Sequence, residues 1–131
     1  MFEMGEVAEG CRRVAKTDLG AVGDDGLGVL VGELTAARSA LDAAELAVLG
    51  ELDATGVCDR WGSPTVMWVS GETRSCRATV ATRVRVAAKL RYPFGDVAVA
   101  LAAGTVTFDH ARTLVHAANP RSTSSPICRS R

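Results

Sequence analysis

The sequence predicts an all-α protein in which a long helix is followed by four shorter helices with helix-turn-helix-like corners and flexible termini. Apolar residues make up 47% of the chain but aromatic residues only 5%, and a core of Ala, Val and Leu suits helix packing better than a β-sandwich. Apolar residues recur at spacings of three and four from residue 27 onward, which is the helical period. Gly and Pro divide this pattern at only a few positions, where helices should end.

The 131 residues fit one domain. We predict a flexible leader at 1–27, which is Gly-rich and acidic and holds at most a short helix near 6–16. A helical domain should occupy 28–119. The segment 120–131 is rich in Ser and Arg and has no apolar period, so it is predicted to be a disordered tail.

The long helix should span about 28–55, and Gly56 is expected to cap its C-terminus. It carries an apolar stripe with alternating spacings of three and four, formed by Leu27, Leu30, Leu34, Ala37, Leu41, Ala44 and Val48. Such a stripe fits a dimerising coiled coil, which would make the protein a homodimer through the 27–52 helix. It also fits a long helix that packs inside its own bundle, and we favour this second interpretation.

Four shorter helices should follow, and their predicted ranges are 63–70, 75–91, 94–103 and 107–118. Ser63-Pro64 is a helix start, and Gly71 should end that helix. Pro93 stops the next helix, because the residue before a proline disfavours helical geometry. Gly104 should end the third helix, and Thr107 should N-cap the last one.

The helix at 75–91 is basic on one side. Arg77, Arg85 and Lys89 share an outward arc at 100° per residue. Arg83 instead projects into the apolar face, and a buried arginine needs a partner. We expect that partner to be a carboxylate of the acidic long helix.

Two pairs of helices have helix-turn-helix proportions, the first two short helices and the last two. A short helix, a Gly-containing turn and a second helix with outward basic side chains are what reading of the DNA major groove requires. The candidate DNA-contact residues are the basic residues of these corners, namely Arg74, Arg77, Arg85, Lys89 and Arg112. The alternative is plain helix packing, since many bundles contain such corners.

The formal net charge of zero hides an asymmetry. Up to Asp59 the chain carries 12 acidic and 4 basic residues, and from Arg60 onward it carries 11 basic and 3 acidic residues. This split fits either a polyanion-binding face, with duplex DNA as the partner, or neutralisation of basic helices by the acidic helix within one fold.

The sequence offers no catalytic, metal-binding or cofactor-binding motif, so we predict no enzymatic activity and no small-molecule ligand. His110 and His116 lie six residues apart, on roughly opposite faces of one helix. The four cysteines are scattered without metal-ligand spacing, which favours a reducing cytoplasm. The longest apolar stretch, 97–103, is too short for a membrane span.

A series of short segments forms a recognisable pattern along the chain. In chain order they are Leu52-Asp53-Ala54-Thr55-Gly56, Asp59-Arg60-Trp61-Gly62-Ser63, Trp68, Arg77-Ala78, Val86-Ala87-Ala88-Lys89-Leu90, Ala100-Leu101-Ala102-Ala103-Gly104-Thr105-Val106-Thr107 and His110-Ala111-Arg112. These segments resemble the 13E12-repeat family, which carries the domain of unknown function 222. Their order and spacing agree with the family over about 28–119.

The resemblance implies a helical, uncharacterised mycobacterial or other actinobacterial protein whose relatives often carry a C-terminal HNH endonuclease domain. This sequence holds no HNH motif, so no nuclease residue is carried over. We expect a truncated or frame-shifted relative, because 122–131 does not look like the family's continuation. Three functions stay open: a DNA-associated module, a protein-interaction or self-association module, and a non-functional gene fragment.

Overall fold

The computed structural model describes residues 4–117, and all regular structure in this range is helical. The elements are α1 (Met4–Lys16), a 3-10 turn (Leu19–Ala21), α2 (Asp24–Thr55), α3 (Val57–Arg60), α4 (Thr65–Thr73), α5 (Arg77–Arg91), α6 (Gly95–Ala103) and α7 (Phe108–Ala117). The all-α prediction is therefore confirmed. The predicted tail at 120–131 lies outside the described residues.

Contacts between Cα atoms divide the chain into two units, Met1–Glu33 and Leu34–Arg131. This boundary falls within α2, whereas the sequence placed it between 27 and 28. In the first unit α1 occupies the position of the predicted short helix, and none of its residues is buried. Gly26 is tightly packed there, since a Cβ atom on it would lie 2.6 Å from Val22 Cγ1.

In the second unit the hydrophobic core forms around α5, which contacts α4, α6 and α7. The buried α5 residues are Val80, Val84, Val86, Ala87 and Leu90. The other elements contribute Leu46, Leu49, Val69, Leu101 and Val115. Trp68 packs against this core as a partly buried side chain and stacks on Trp61 with ring centroids 4.7 Å apart.

Most helix ends match the sequence prediction, because their residue chemistry is local. Gly56 and Gly104 adopt positive φ angles of 67° and 82° after α2 and α6, a conformation that glycine tolerates. Thr107 Oγ1 accepts a hydrogen bond from the His110 N–H at 3.3 Å, so the predicted N-cap of α7 is confirmed.

The region before α5 differs from the prediction in two ways. Gly71 does not end α4, which continues to Thr73 and ends where Arg74 takes a left-handed conformation with φ 56°. The short helix α3 follows Gly56 directly and was not predicted. A four-residue helix is too short for its apolar period to be distinguished from a turn.

The long helix packs into the core through a different face from the predicted one. Its buried residues are Ser39, Asp42, Leu46, Leu49 and Gly50. The predicted stripe remains exposed along the second unit, with Leu34, Leu41 and Val48 at 39%, 47% and 60% exposure. The favoured interpretation, a long helix that packs inside its own bundle, is confirmed through Leu46 and Leu49, but the stripe itself does not take part in that packing.

Candidate nucleic-acid interface

The cations of α5 differ in what surrounds them, and Arg83 is enclosed by acidic and aromatic groups. Its Nη1 lies 3.1 Å from Asp42 Oδ1 and 2.5 Å from Glu45 Oε1 on α2. Its Cζ also lies 4.4 Å from the centroid of the Phe108 ring at the start of α7. The predicted carboxylate partner on the long helix is confirmed, and one guanidinium joins three helices.

Arg91 makes a second link between α5 and α2. Its Nη1 lies 2.7 Å from Glu51 Oε1. Gly50 permits this approach, because a Cβ atom at that position would lie 2.9 Å from Arg91 Cδ and 3.4 Å from the Ala87 carbonyl oxygen. Two cations of α5 are therefore engaged by carboxylates of the same fold.

Other cations of α5 line a groove between α5 and α7 with a volume of about 510 Å³. The charged side chains in its walls are Arg85 and Lys89 from α5 and Arg112 from α7. His116, Thr82 and Thr113 add polar groups, and among residues 4–117 no Asp or Glu lines the groove. We call this the α5–α7 groove.

Among the described residues, carboxylates neutralise the groove cations only weakly. Within residues 4–117, Arg85 and Lys89 have no carboxylate within ion-pair distance. Arg112 Nη2 lies 3.8 Å from Asp109 Oδ1, and the two side chains are 53% and 86% exposed. An ion pair this long and this exposed contributes little, so the groove attracts anions.

The structure thus brings together three of the five predicted DNA-contact residues. Arg74 and Arg77 lie at the other end of α5, both exposed, and they do not line the groove. Arg77 and Lys89 are separated by 12 residues on one helix, or about 18 Å along its axis.

Sequence reasoning missed His116 as a groove residue. His116 lies four positions after Arg112 on α7, so the two side chains share one helix face. That spacing is a signal in the sequence, but only the packing of α7 on α5 shows which face meets Arg85 and Lys89.

A second cavity, of about 310 Å³, lies between α2, α4 and α5. Its walls carry charges of both signs, including Arg38, Glu45 and the paired Asp42 and Arg83. Because these charges compensate one another, this cavity lacks the net positive character of the α5–α7 groove.

Cys11, Cys58 and Cys76 are free thiols, and Cys128 lies outside the described residues. Cys76 precedes α5, and the backbone N–H groups of Ala78 and Thr79 lower the pKa of its thiol because they favour the thiolate. Among residues 4–117, no three His, Cys, Asp or Glu side chains are grouped to hold a metal ion. In the same range, the helices lack the combination of length and apolar character that crossing a membrane requires.

The fold and the groove define an all-α domain with an anion-attracting surface between two packed helices. The profile of the family described as "Domain of unknown function (DUF222)" matches residues 29–127, about three quarters of the chain. The chain therefore belongs to the DUF222 family. The match ends at residue 127, whereas the sequence analysis placed the end of the family resemblance near residue 119. It therefore includes part of the predicted tail at 120–131.

Neither a curated protein nor a solved structure matches the chain significantly.

Proposed function

We propose that this domain binds duplex DNA through the α5–α7 groove, with Arg85, Lys89 and Arg112 contacting backbone phosphates. The observation that carries the proposal is the division of the α5 cations. Arg83 and Arg91 are engaged by α2 carboxylates, whereas the groove cations converge on one surface whose described lining residues are all non-acidic. Phosphate contacts of Lys and Arg dominate the affinity of such surfaces for DNA.

The proportions of α6 and α7 support the proposal. α6 and α7 are packed on each other and joined by residues 104–107, which are helix-turn-helix proportions. The outward residues of α7 include His110, Arg112 and Thr113, so this helix presents hydrogen-bonding groups to a major groove. Arg85 and Lys89 on the neighbouring α5 would then contact the flanking phosphates.

The proposal accords with three expectations from the sequence. The basic half of the chain, from Arg60 onward, contains both walls of the groove. A DNA-binding role also requires the cytoplasmic location that the sequence predicts. The link to HNH endonucleases that the family resemblance implies would place such a domain next to a DNA-cutting one.

The test is fluorescence anisotropy with a labelled duplex of about two helical turns, over a range of roughly 50 to 200 mM salt. We expect binding that weakens as salt rises. Arg85→Met, Lys89→Met and Arg112→Met should each lower the slope of log K against log salt by about 0.9, since each removes one phosphate contact.

Arg60→Met is the matched control, because Arg60 is exposed on α3 and does not line the groove. It should leave the slope unchanged. The proposal is wrong if the helical, monodisperse protein does not bind DNA at the lowest salt concentration, or if Arg60→Met weakens binding as much as the groove variants do.

A further inference from the structure

The outward face of α2 carries an apolar row along the second unit. We call it the α2 outer stripe. Its members recur at spacings of three and four, and they are Leu34, Ala37, Leu41, Ala44 and Val48. All five are exposed, and the three large side chains are between 39% and 60% accessible.

The apolar residues of α2 lie on two sides of the helix. At 100° per residue, the stripe and the buried residues of α2 lie roughly 150° apart, on nearly opposite sides. The buried side contains Leu46 and Leu49 together with Ser39 and Asp42, while Leu34 and Leu41 of the stripe face solvent. Exposed apolar rows of this kind mark interaction surfaces.

We propose that the α2 outer stripe is the seam of an antiparallel homodimer, with the same stripe of a second copy of this chain as its partner. A spacing of 3.5 residues is the repeat that keeps two helices in register along a shared seam. A two-fold axis makes one stripe serve both sides of the contact.

Side-chain volumes favour the antiparallel orientation. In a seam centred between Asp42 and Ala43, Leu41 lies opposite the partner's Ala44 and Ala37 lies opposite the partner's Val48. Each of the four layers built from these residues then combines one large and one small side chain, and Leu34 lies beyond them, opposite the partner's Glu51. A parallel pair would place Leu41 against Leu41 and Ala44 against Ala44, which alternates bulky layers with gaps, and gaps cost stability.

Charges beside the stripe select this register. Arg38 and Glu45 flank the stripe on one side, and in the proposed register Arg38 faces the partner's Glu45 twice, once on each side of the axis. Sliding the helices by one heptad in either direction would bring together two Arg38 or two Glu45 side chains. Glu45 is 47% exposed although it also contacts Arg83, so its carboxylate is accessible to a partner. Complementary charges of this kind determine the register of helix pairs.

The size of the contact sets the expected affinity. In this register the stripes oppose each other over residues 37–48, which is 12 residues or roughly 18 Å of helix. Such a contact is at the small end of specific interfaces, so we expect a reversible dimer with a dissociation constant in the micromolar range, about 1 to 100 µM.

Sedimentation equilibrium over roughly 5 to 500 µM protein tests the dimer. We expect the wild-type mass to rise toward twice the chain mass. Leu41→Glu should raise the dissociation constant at least tenfold, because it places a carboxylate in the seam. Val99→Glu is the matched control, since Val99 is 70% exposed on α6, outside the stripe, and it should leave the dissociation constant unchanged.

A mixing experiment tests orientation and register. Arg38→Glu places only carboxylates beside the seam, and Glu45→Lys places only cations there, so each variant alone should dimerise about tenfold more weakly. The heterodimer of the two variants has both pairs restored. An equimolar mixture should therefore approach wild-type association. Circular dichroism melts confirm that each variant is folded.

Three outcomes would overturn the proposal. The first is a wild-type monomer at all concentrations, and the second is a dimer that Leu41→Glu does not weaken. The third is a mixture of Arg38→Glu and Glu45→Lys that associates no better than either variant alone, which would exclude the antiparallel register.

Discussion

The two arginines at positions 83 and 85 lie on the same helix and carry the same group, yet their surroundings are opposite. Arg83 is enclosed by Asp42, Glu45 and the Phe108 ring. Arg85 lies in a groove beside Lys89 and Arg112. Two positions correspond to a rotation of about 200° around a helix, so one side chain meets α2 while the other meets α7 and solvent.

This difference shows that the role of a surface cation depends on the element it faces. Toward α2 the cations of α5 connect helices and contribute to the free energy of unfolding. Toward α7 they lie near other cations, whose mutual repulsion in the free protein is relieved by a bound anion. Substitutions on the α2 side should therefore change the free energy of unfolding, and substitutions on the α7 side should change ligand binding.

The largest expected effect is on stability and comes from Arg83→Met. It removes both ion pairs and leaves the Asp42 carboxylate, whose side chain is only 12% exposed, without its partner. An unpaired, largely buried carboxylate is costly, so we expect a loss of roughly 2–3 kcal/mol, which corresponds to a fall in Tm of about 10–20 °C. Thermal unfolding followed by circular dichroism measures it.

Arg85→Met is the matched control for this measurement, since it is the same substitution two positions away. It should change the free energy of unfolding by less than about 0.5 kcal/mol. Equal losses for both variants would mean that the two sides of α5 do not differ in the way described above.

The sequence was sufficient to separate these two arginines. A period of 100° per residue placed Arg83 on the apolar face and Arg85 outside it, and the physical need of a buried cation for a carboxylate identified the long helix as the partner. It was not sufficient to place Arg112 with Arg85 and Lys89, because that proximity depends on how α7 packs against α5.

The orientation of α2 could not be predicted for a related reason. Its apolar residues occupy most of its circumference, since Leu46, Leu49 and Leu52 widen the stripe that begins at Leu34. With apolar residues on several sides, periodicity does not select a buried face. In the fold, the side that carries Leu46, Leu49 and Asp42 faces the core, and the ion pair between Arg83 and Asp42 stabilises this orientation.

A smaller effect should come from the ring beneath Arg83. Phe108→Leu keeps an apolar side chain but removes the cation–π contact, and we expect a loss of about 1 kcal/mol. In the Arg83→Met background the loss should be smaller by roughly 0.5–1 kcal/mol. A double-mutant cycle from denaturant unfolding measures this coupling, and a coupling of zero would show that the ring contact contributes no stability.

The exposed pair at the end of α5 should contribute less. Arg91 and Glu51 are 46% and 66% exposed, so Arg91→Ala should cost under about 1 kcal/mol. Gly50→Ala alone should be close to neutral, because its helix propensity gain of about 1 kcal/mol is offset by displacement of the Arg91 side chain. With Arg91→Ala present, Gly50→Ala should stabilise the fold. Urea unfolding of the wild type, the two single variants and the double variant measures this difference. A gain of equal size in both backgrounds would contradict the close approach.

The smallest effect concerns the ionisation of the Cys76 thiol at the start of α5. Here backbone N–H groups stabilise a charged side chain, whereas at Arg83 carboxylates do so. The N–H groups of Ala78 and Thr79 favour the Cys76 thiolate and lower the pKa of the thiol. A lower pKa leaves more thiolate at a given pH, so alkylation of Cys76 should reach its half-maximal rate at a lower pH in the folded protein than in urea. Iodoacetamide labelling followed by peptide mass spectrometry separates Cys76 from Cys11. Arg77→Met should preserve most of the shift if the backbone is its main cause, and loss of the shift in this variant would assign it to the arginine instead.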